Sequence, residues 1–384
     1  MKHPPSPVVY FSLALSIVTL GDSLLYVLLP SYYPQLGLAP IQVGILLSIN
    51  RWVRLFTNHL AEYCFRRYPS PLWVIFAFLI GSVVAVIYGI TNLFVVFFVA
   101  RILWGVSFSF LRQAGVMTAV HSGADVHLGE RMGYFRGINA MFRTLGVFLG
   151  GVCHDMFGFA ATLVSIGLLS LAAAPLGYLS QRSISRIPKA LSQKMISKGH
   201  MGIMFSGFTL GIVGPGMIIS TLGLVLKTQI GESFIIFNYT VGVATLTSFI
   251  LGWRWFIDGI GSPILGAAAD RIGRQRSLRF LFPLNTVMLL MASVQAKPIF
   301  LILFLFIIFI CTTALMTLLS VRAGQNGPRS VALYATAMDF GMSVGPLIGW
   351  GIAQFGLLPN YIFLWGAVIY MVSSIVALRT FGHP

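Results

Sequence analysis

Long apolar runs separated by short polar connections follow one another along the chain. Their approximate bounds are 8–30, 41–62, 71–90, 93–120, 132–154, 158–180, 201–226, 236–265, 278–296, 298–321, 330–353 and 360–379. Each is close to the roughly 20 residues that a helix needs to cross a hydrocarbon core about 30 Å thick. Lipid cannot satisfy open backbone groups, so each run is expected to be helical. The pattern predicts an all-α integral membrane protein with twelve transmembrane helices.

Composition agrees with a membrane protein and excludes other classes. Charged residues make up 9% of the 384 residues, whereas a soluble protein has roughly 25%. Hydrophobic residues make up 57%, and the mean hydropathy is +0.89. These values exclude a soluble globular protein, a disordered tail and a disulfide scaffold. Cys64, Cys153 and Cys311 lack metal-binding spacing, so no cofactor or metal is expected.

The basic residues are distributed unevenly between the two sides of the predicted membrane. Of 25 Lys and Arg residues, sixteen lie at the termini and in the even-numbered connections, and two lie in the odd-numbered ones. This positive-inside pattern predicts a multi-pass plasma membrane protein, in bacteria of the inner membrane, with both termini in the cytoplasm. The net charge of +16 is therefore interpreted as membrane topology, and no nucleic-acid partner is expected.

A long basic connection at 181–200 divides the chain. It separates a predicted N-terminal six-helix bundle at 1–180 from a predicted C-terminal six-helix bundle at 201–384. The simplest interpretation of the connection is a solvated linker that lies against anionic lipid headgroups. We expect lipids as partners and a monomeric protein.

A recognisable motif occupies the connection after the eighth predicted helix. The residues of this motif are Gly266, Asp270, Arg271, Gly273 and Arg274. A divergent copy begins 208 residues earlier at Asn58, with Glu62 at the aspartate position and Phe65 at the second glycine position. The motif resembles the signature loop of the major facilitator superfamily, and the resemblance covers essentially the whole chain. It implies two bundles related by pseudo-twofold symmetry, and a cytoplasmic gate formed by Glu62 and the motif residues.

Two further elements are similar to elements of the same superfamily. Arg101 begins an Arg-x-x-x-Gly element whose arginine is linked with proton coupling, and Asp22 lies in an element whose acid faces that arginine. Asp22 lies about 9 Å and Arg101 about 12 Å from the outer ends of their helices. The resemblance implies proton coupling through this pair, with a static structural bridge as the alternative. Asp339 is a second candidate for proton transfer, and the alternative is that it pairs with a basic group. Gly146, Gly150 and Gly151 resemble a glycine-rich antiporter element that here lacks its proline, so antiport is not specified.

Arginines outnumber acids inside the predicted spans. The arginines are Arg51, Arg54, Arg101, Arg112, Arg136, Arg143 and Arg254, and the acids are Asp22, Asp258 and Asp339. A charge at the bilayer centre costs about 2.5–3.5 kcal/mol on the insertion scale, so such residues face a cavity or a partner. Three acids can neutralise only three arginines one to one. The excess predicts a central cavity that binds an anion, because the planar guanidinium fork suits carboxylates and phosphates.

Helical spacing selects the predicted substrate-binding residues. At 1.5 Å per residue, Arg51, Arg143 and Asp258 lie about 16–18 Å from the cytoplasmic edge of the membrane, close to the midplane. Arg136, Asn139 and Arg143 follow an i, i+3, i+7 stripe, and Arg254 is predicted to pair with Asp258. Arg112 is predicted to snorkel instead. The predicted substrate site consists of Arg51, Arg54, Arg136, Asn139, Arg143, Arg254 and Asp258.

These features predict a secondary active transporter that moves a small organic anion by alternating access, coupled to protons. A polycarboxylate, such as an organic acid or a carboxylate-type siderophore, is the leading class, and a phosphorylated metabolite comes next. One alternative is a proton-coupled exporter of drugs or amphiphiles. Such an exporter would have an apolar cavity with unpaired acidic groups. The other is a non-transporting membrane receptor or enzyme. No nucleotide-binding loop and no catalytic constellation stands out, so we expect no enzyme activity.

Overall fold

A computed structural model describes residues 5–68, 70–122, 128–182, 199–236, 239–294, 297–326 and 328–380. The first four predicted spans correspond to single helices, which are α1 (Ser6–Tyr32), α2 (Pro40–Arg67), α3 (Ser70–Ile90) and α4 (Phe94–His121). The fifth and sixth spans share α5 (Leu128–Ser170), and the sixth is completed by α6 (Ala173–Gln181). Gly158 breaks α5 with φ 83° and ψ 175°, a conformation that favours glycine.

The second half contains two helical rods with π-helical segments. The seventh span joins α7 (Gly199–Gly211), a π-helical segment (Ile212–Ile218) and α8 (Ile219–Ile230). The eighth joins α9 (Val243–Phe256), a second π-helical segment (Ile257–Gly261) and α10 (Ser262–Ile272). The remaining spans are α11 (Arg274–Val294), α12 (Pro298–Gln325), α13 (Pro328–Gln354) and α14 (Asn360–Thr380). Pro215 lies inside the first π-helical segment, where a missing N–H is tolerated by the altered hydrogen-bond pattern.

A short hairpin precedes α9. Strand β1 (Ser233–Ile236) pairs antiparallel with β2 (Tyr239–Gly242), and Ser233 is opposite Gly242. The predicted eighth span began near residue 236, so its first residues belong to the hairpin and the helix begins at Val243. Hydropathy alone does not distinguish a strand from a helix over a stretch as short as 236–242.

The helices are suited to a membrane. Among the described residues, eight helical stretches are long and apolar enough to cross one, and the stretch Arg131–Gln181 contains two spans divided at Gly158. Helix α2 and the α9–α10 rod fall outside this set because they carry many of the polar and charged residues assigned above to the site. The apolar part of α14, Asn360–Val376, is shorter. The predicted fold class, an all-α integral membrane protein, is confirmed.

Packing divides the described chain into two compact units. The first contains the described residues of 5–37, 49–182 and 244–255. The second contains those of 38–48, 199–243 and 256–380. The beginning of α2 therefore packs with the second unit, and most of α9 packs with the first. The division into six-helix bundles at 1–180 and 201–384 stays a prediction. The predicted linker at 181–200 lies largely outside the described residues.

Glycines allow close helix approach within each unit. In the first unit a Cβ on Gly150 would overlap Leu24 of α1. In the second unit a Cβ on Gly345 of α13 would lie 2.5 Å from the Gly216 Cα. Small residues at such crossings permit the dense packing on which helix association in membranes depends.

Arg131 fixes the end of α4. Its Nε donates to the Ala119 carbonyl over 2.8 Å, its Nη2 donates to the Val120 carbonyl over 3.0 Å, and its side chain is buried. The last carbonyls of a helix have no partner within the helix. Arg131, which the charge pattern assigned to a connection between spans, therefore caps the carboxyl end of α4 within the first unit.

Candidate functional site

The two predicted proton-coupling residues of the first unit are in contact. Nη1 of Arg101 on α4 donates to Oδ1 of Asp22 on α1. The Arg101 side chain is 0% exposed and the Asp22 side chain is 21% exposed. The same Nη1 donates to the Tyr88 hydroxyl of α3 over 3.5 Å. The geometry therefore places a carboxylate in direct contact with a fully buried guanidinium group, while the role of this pair in proton transfer stays a prediction.

Tyr26 joins this pair to a predicted substrate-binding arginine. Its ring centre lies 5.7 Å from Cζ of Arg101 and 5.3 Å from Cζ of Arg51 on α2. The Tyr26 side chain is 5% exposed. Guanidinium groups are attracted to the negative face of an aromatic ring. The sequence analysis missed Tyr26, although its position one helical turn after Asp22 was a usable signal.

The polar stripe of α5 meets α9 within the first unit. Cζ of Arg143 lies 4.6 Å from the ring centre of Trp255. One turn earlier, Nδ2 of Asn139 is buried and has no hydrogen-bond partner among the described residues. Arg136, at the start of the stripe, is exposed. The stripe thus presents a stacked cation beside a buried amide donor, and both groups suit an anion.

The other predicted substrate residues are divided between the units. Arg54 Cζ lies 5.1 Å from the Phe108 ring centre, and the Arg254 side chain is buried; both arginines belong to the first unit. Asp258 belongs to the second unit, where its Oδ1 accepts a hydrogen bond from the Thr313 hydroxyl of α12. The pairing of Arg254 with Asp258 stays a prediction.

Asp339, the second proton-transfer candidate, is half-buried on α13. It belongs to the second unit, whereas Asp22 and Arg101 belong to the first. Its role in proton transfer also stays a prediction.

The predicted gate motif adopts a compact turn in the second unit. Nε of Arg274 donates to Oδ1 of Asp270 over 2.5 Å, across Gly273, whose φ is 101°. The hydrogen bond from Arg274 holds the pKa of Asp270 below its ordinary value, so this carboxylate stays ionised at neutral pH. A Cβ on Gly266 would lie 3.5 Å from Thr317 of α12, and Arg271 is exposed. The motif can therefore carry a charge pair at a helix junction, which is what a latch requires.

Glu62, the gate residue of the divergent copy, lies in a polar pocket of about 340 Å³ in the first unit. The pocket lies between α2 and α4, and its lining includes His59 and Arg112. Arg112 is exposed, in keeping with its predicted position near a helix end.

A carboxylate that sequence analysis did not select caps α9. Oδ2 of Asp155 on α5 accepts hydrogen bonds from the Thr245 backbone N–H over 2.9 Å and from its hydroxyl over 2.6 Å. Thr245 lies in the first turn of α9, where N–H groups lack partners within the helix. Nδ1 of His154 lies 3.2 Å from the other Asp155 oxygen. Asp155 therefore holds the start of α9 against α5.

Replacing Asp155 with alanine is expected to destabilise the protein by about 0.5–2 kcal/mol, the range for the loss of a helix cap. Asp155→Asn retains one acceptor and should lose less. Thermal unfolding in detergent measures the difference. Glu232→Ala is the matched control, because Glu232 is an exposed acid whose side chain pairs with Lys227. Equal unfolding temperatures for Asp155→Ala and Glu232→Ala would contradict the capping role.

Comparison with known proteins places this arrangement in context. The family model of the Major Facilitator Superfamily matches residues 11–258. An uncharacterized MFS-type transporter from Methanocaldococcus jannaschii is 21% identical over 165 residues, and the match covers 43% of each chain.

Solved structures resemble nearly the whole chain. A bacterial homologue of the human lysosomal transporter Spinster, inward-facing and unoccupied, has a TM-score of 0.78 at 10% identity, covering 98% of this chain and 96% of that one. The nucleoside transporter NupG has a TM-score of 0.77 at 12% identity, covering 98% and 99%. The peptide transporter POT in complex with sulfate has a TM-score of 0.80 at 11% identity, covering 100% and 94%. These likenesses show the twelve-helix fold of such transporters.

Proposed function

The chain belongs to the major facilitator superfamily and is a membrane transporter of that type, and we propose that it moves a small organic anion together with protons. A polycarboxylate, including a carboxylate-type siderophore, is the leading class of cargo. A phosphorylated metabolite is second. The transporter works by alternating access, with both termini in the cytoplasm.

The α5 stripe carries the anion proposal. Burying an amide donor without a partner costs about 1–3 kcal/mol, and an acceptor on the cargo would recover that free energy at Asn139. Arg143 lies one turn away, and its stacking on Trp255 orients the planar guanidinium fork. A cation and an amide donor on one helix face favour a carboxylate or phosphate over a cationic cargo.

The contacts of the acidic residues also favour an anionic cargo over a cationic one. Asp22 already bonds to Arg101, and Asp258 already accepts a hydrogen bond from Thr313. An exporter of cationic drugs or amphiphiles would instead need carboxylates that are available to the cargo. The exporter is therefore the second candidate.

The fold itself does not select a cargo. Among the structurally similar proteins, one is a nucleoside transporter, another is a peptide transporter, and a third is a bacterial homologue of the iron transporter ferroportin. The choice of an organic anion consequently rests on the side chains of this chain.

Binding to the purified full-length protein tests the proposal. The panel is citrate, glycerol 3-phosphate and the cation tetraphenylphosphonium, and calorimetry gives each affinity. We expect citrate to bind, and Arg143→Gln to weaken it at least about tenfold, because a hydrogen bond to a charged group is worth about 1.5–3 kcal/mol. Asn139→Ala should weaken it less.

Arg112→Gln is the matched control for this experiment, because Arg112 is an exposed arginine of the same unit. Its affinity for citrate should equal that of the wild type. Preferential binding of tetraphenylphosphonium would favour the exporter. An Arg143→Gln variant that binds citrate as tightly as the control would contradict the assigned site.

A further inference from the structure

A basic cavity lies at the junction of α10 and α11 in the second unit. Its volume of about 840 Å³ is within the range of roughly 300–1,000 Å³ that is typical of small-molecule sites, and its lining runs from Asp270 to Arg276. The lining contains three arginines and one aspartate, which gives a net charge of +2. Asp270 is bonded to Arg274, so Arg271 and Arg276 supply the excess positive charge.

The turn at Gly273 brings these two arginines to one concave surface. Arg271 lies in the last turn of α10, and Arg276 lies in the first turn of α11. Gly273 joins the helices with φ 101°, and a Cβ added there would lie 3.9 Å from Cδ of Arg276. Both arginines are exposed. Two guanidinium forks on one concave surface suit an anion with several oxygen atoms, such as a phosphate.

The cavity lies at the end of a membrane helix and has apolar side chains beside it. The stretch Arg274–Val294 is long and apolar enough to cross a membrane. Ile272, which also lines the cavity, is 62% exposed, and Phe280 is 65% exposed. Positions four apart share a helix face, so Phe280 lies on the same face of α11 as Arg276. The surface thus combines basic and apolar side chains, which matches a ligand whose phosphate is joined to acyl chains.

We infer that this cavity binds the headgroup of an anionic phospholipid, and that Arg271 and Arg276 contact the phosphate. The inference goes beyond the proposed function and does not depend on the cargo. On the proposed topology the junction lies on the cytoplasmic side, where anionic lipids attract basic segments next to the membrane. Ile272 and Phe280 lie against the acyl chains. A soluble phosphate would use the arginines alone, so the exposed apolar side chains favour the lipid.

Lipid binding to the delipidated full-length protein tests the inference. Native mass spectrometry gives the affinities for dioctanoylphosphatidylglycerol, which is anionic, and for dioctanoylphosphatidylcholine, which is zwitterionic. Calorimetry gives the affinity for inorganic phosphate. Each arginine near anionic lipid contributes about fivefold in affinity, so Arg271→Gln/Arg276→Gln should bind phosphatidylglycerol at least about tenfold more weakly than the wild type. The wild type should bind phosphatidylglycerol more tightly than either of the other two probes.

Arg67→Gln/Arg182→Gln is the matched control, because it removes the same charge from two exposed arginines of the first unit. Arg67 donates to the Tyr63 hydroxyl over 2.8 Å, and Arg182 stacks on Tyr178 at 5.6 Å. Neither arginine lines the cavity. The control should bind phosphatidylglycerol with the affinity of the wild type. An equal loss in the two double variants would overturn the site, because net charge alone would then explain the effect.

Ile272→Ser distinguishes a lipid from a free phosphate. It should weaken the binding of phosphatidylglycerol at least about threefold, because it removes an apolar contact with the acyl chains. Unchanged affinity in Ile272→Ser would overturn the lipid as the occupant, as would inorganic phosphate that binds the wild type as tightly as phosphatidylglycerol. Equal affinity for phosphatidylcholine would overturn the preference for an anionic headgroup.

Citrate binding separates a failure of this inference from a failure of the proposed function. Arg271→Gln/Arg276→Gln should bind citrate as the wild type does, because Arg143 and Asn139 belong to the other unit. If citrate does not bind the wild type, the proposed function fails and the lipid result stands by itself. If the double variant is not monodisperse, Arg276→Gln decides, and wild-type affinity for phosphatidylglycerol in that variant would overturn the inference.

Discussion

Replacing Arg101 with alanine is expected to destabilise the protein by about 3–5 kcal/mol, the range measured when one partner of a buried ion pair is removed. The Arg101 side chain is fully buried, and it contacts both Asp22 and Tyr88. The variant leaves the largely buried Asp22 carboxylate without its charged partner. Thermal unfolding in detergent measures the loss, and acidic buffer should reduce it because a neutral carboxyl is cheaper to bury.

Arg112→Ala is the control for this measurement. Arg112 lies on the same helix but is exposed, so its removal should change the free energy of unfolding by less than about 0.5 kcal/mol. Equal losses for the two variants would show that the Arg101–Asp22 pair does not stabilise the fold.

The double variant Asp22→Asn/Arg101→Met separates a coupling device from a static bridge. Neutralising both partners of a buried pair is often nearly neutral for stability, so the double variant should be more stable than Arg101→Ala. If the pair is only a bridge, anion uptake driven by a pH gradient should recover with stability. If the pair couples protons, uptake should remain absent although the protein is folded.

The Asp22–Arg101 contact could be predicted from the sequence, because helix depth follows directly from residue counts. The contact of Tyr26 with Arg51 and Arg101 could not, since it depends on how α1, α2 and α4 are rotated about their axes. Arg143 shows the same limit. Its position on a polar stripe was predicted, but its stacking on Trp255, 112 positions later in the chain, arises from the packing of α9 with the first unit.

The spans were also predictable, whereas the interruptions within them were not. Apolar runs identify membrane helices because the hydrocarbon core imposes their length. The break at Gly158 coincides with the predicted boundary between the fifth and sixth spans. The π-helical segments lie inside apolar runs, where hydropathy carries no information about backbone geometry. Arg131 shows the same limit, because the charge pattern assigned it to a connection and did not indicate that its guanidinium group donates to the last carbonyls of α4.

Gly345→Ala is expected to destabilise the protein far more than a methyl group added at an uncrowded glycine of α13 such as Gly351. The new Cβ would lie 2.5 Å from the Gly216 Cα and 2.8 Å from the Gly216 carbonyl carbon. Both are backbone atoms of a fully buried segment, so they cannot rotate away. Overpacking typically costs about 1–3 kcal/mol and occasionally more. We expect a loss of at least about 3 kcal/mol, seen as a lower unfolding temperature and a smaller monodisperse fraction.

Two comparisons identify the cause of that loss. Gly351 lies on the same helix with nothing within 4 Å of an added Cβ, so Gly351→Ala should be neutral or stabilising by up to about 1 kcal/mol. An added Cβ on Gly146 of α5 would meet the side chain of Leu20, which can change rotamer. Gly146→Ala should therefore cost less than Gly345→Ala. If the two lose equal stability, the contact with the Gly216 backbone is not what makes glycine necessary at 345.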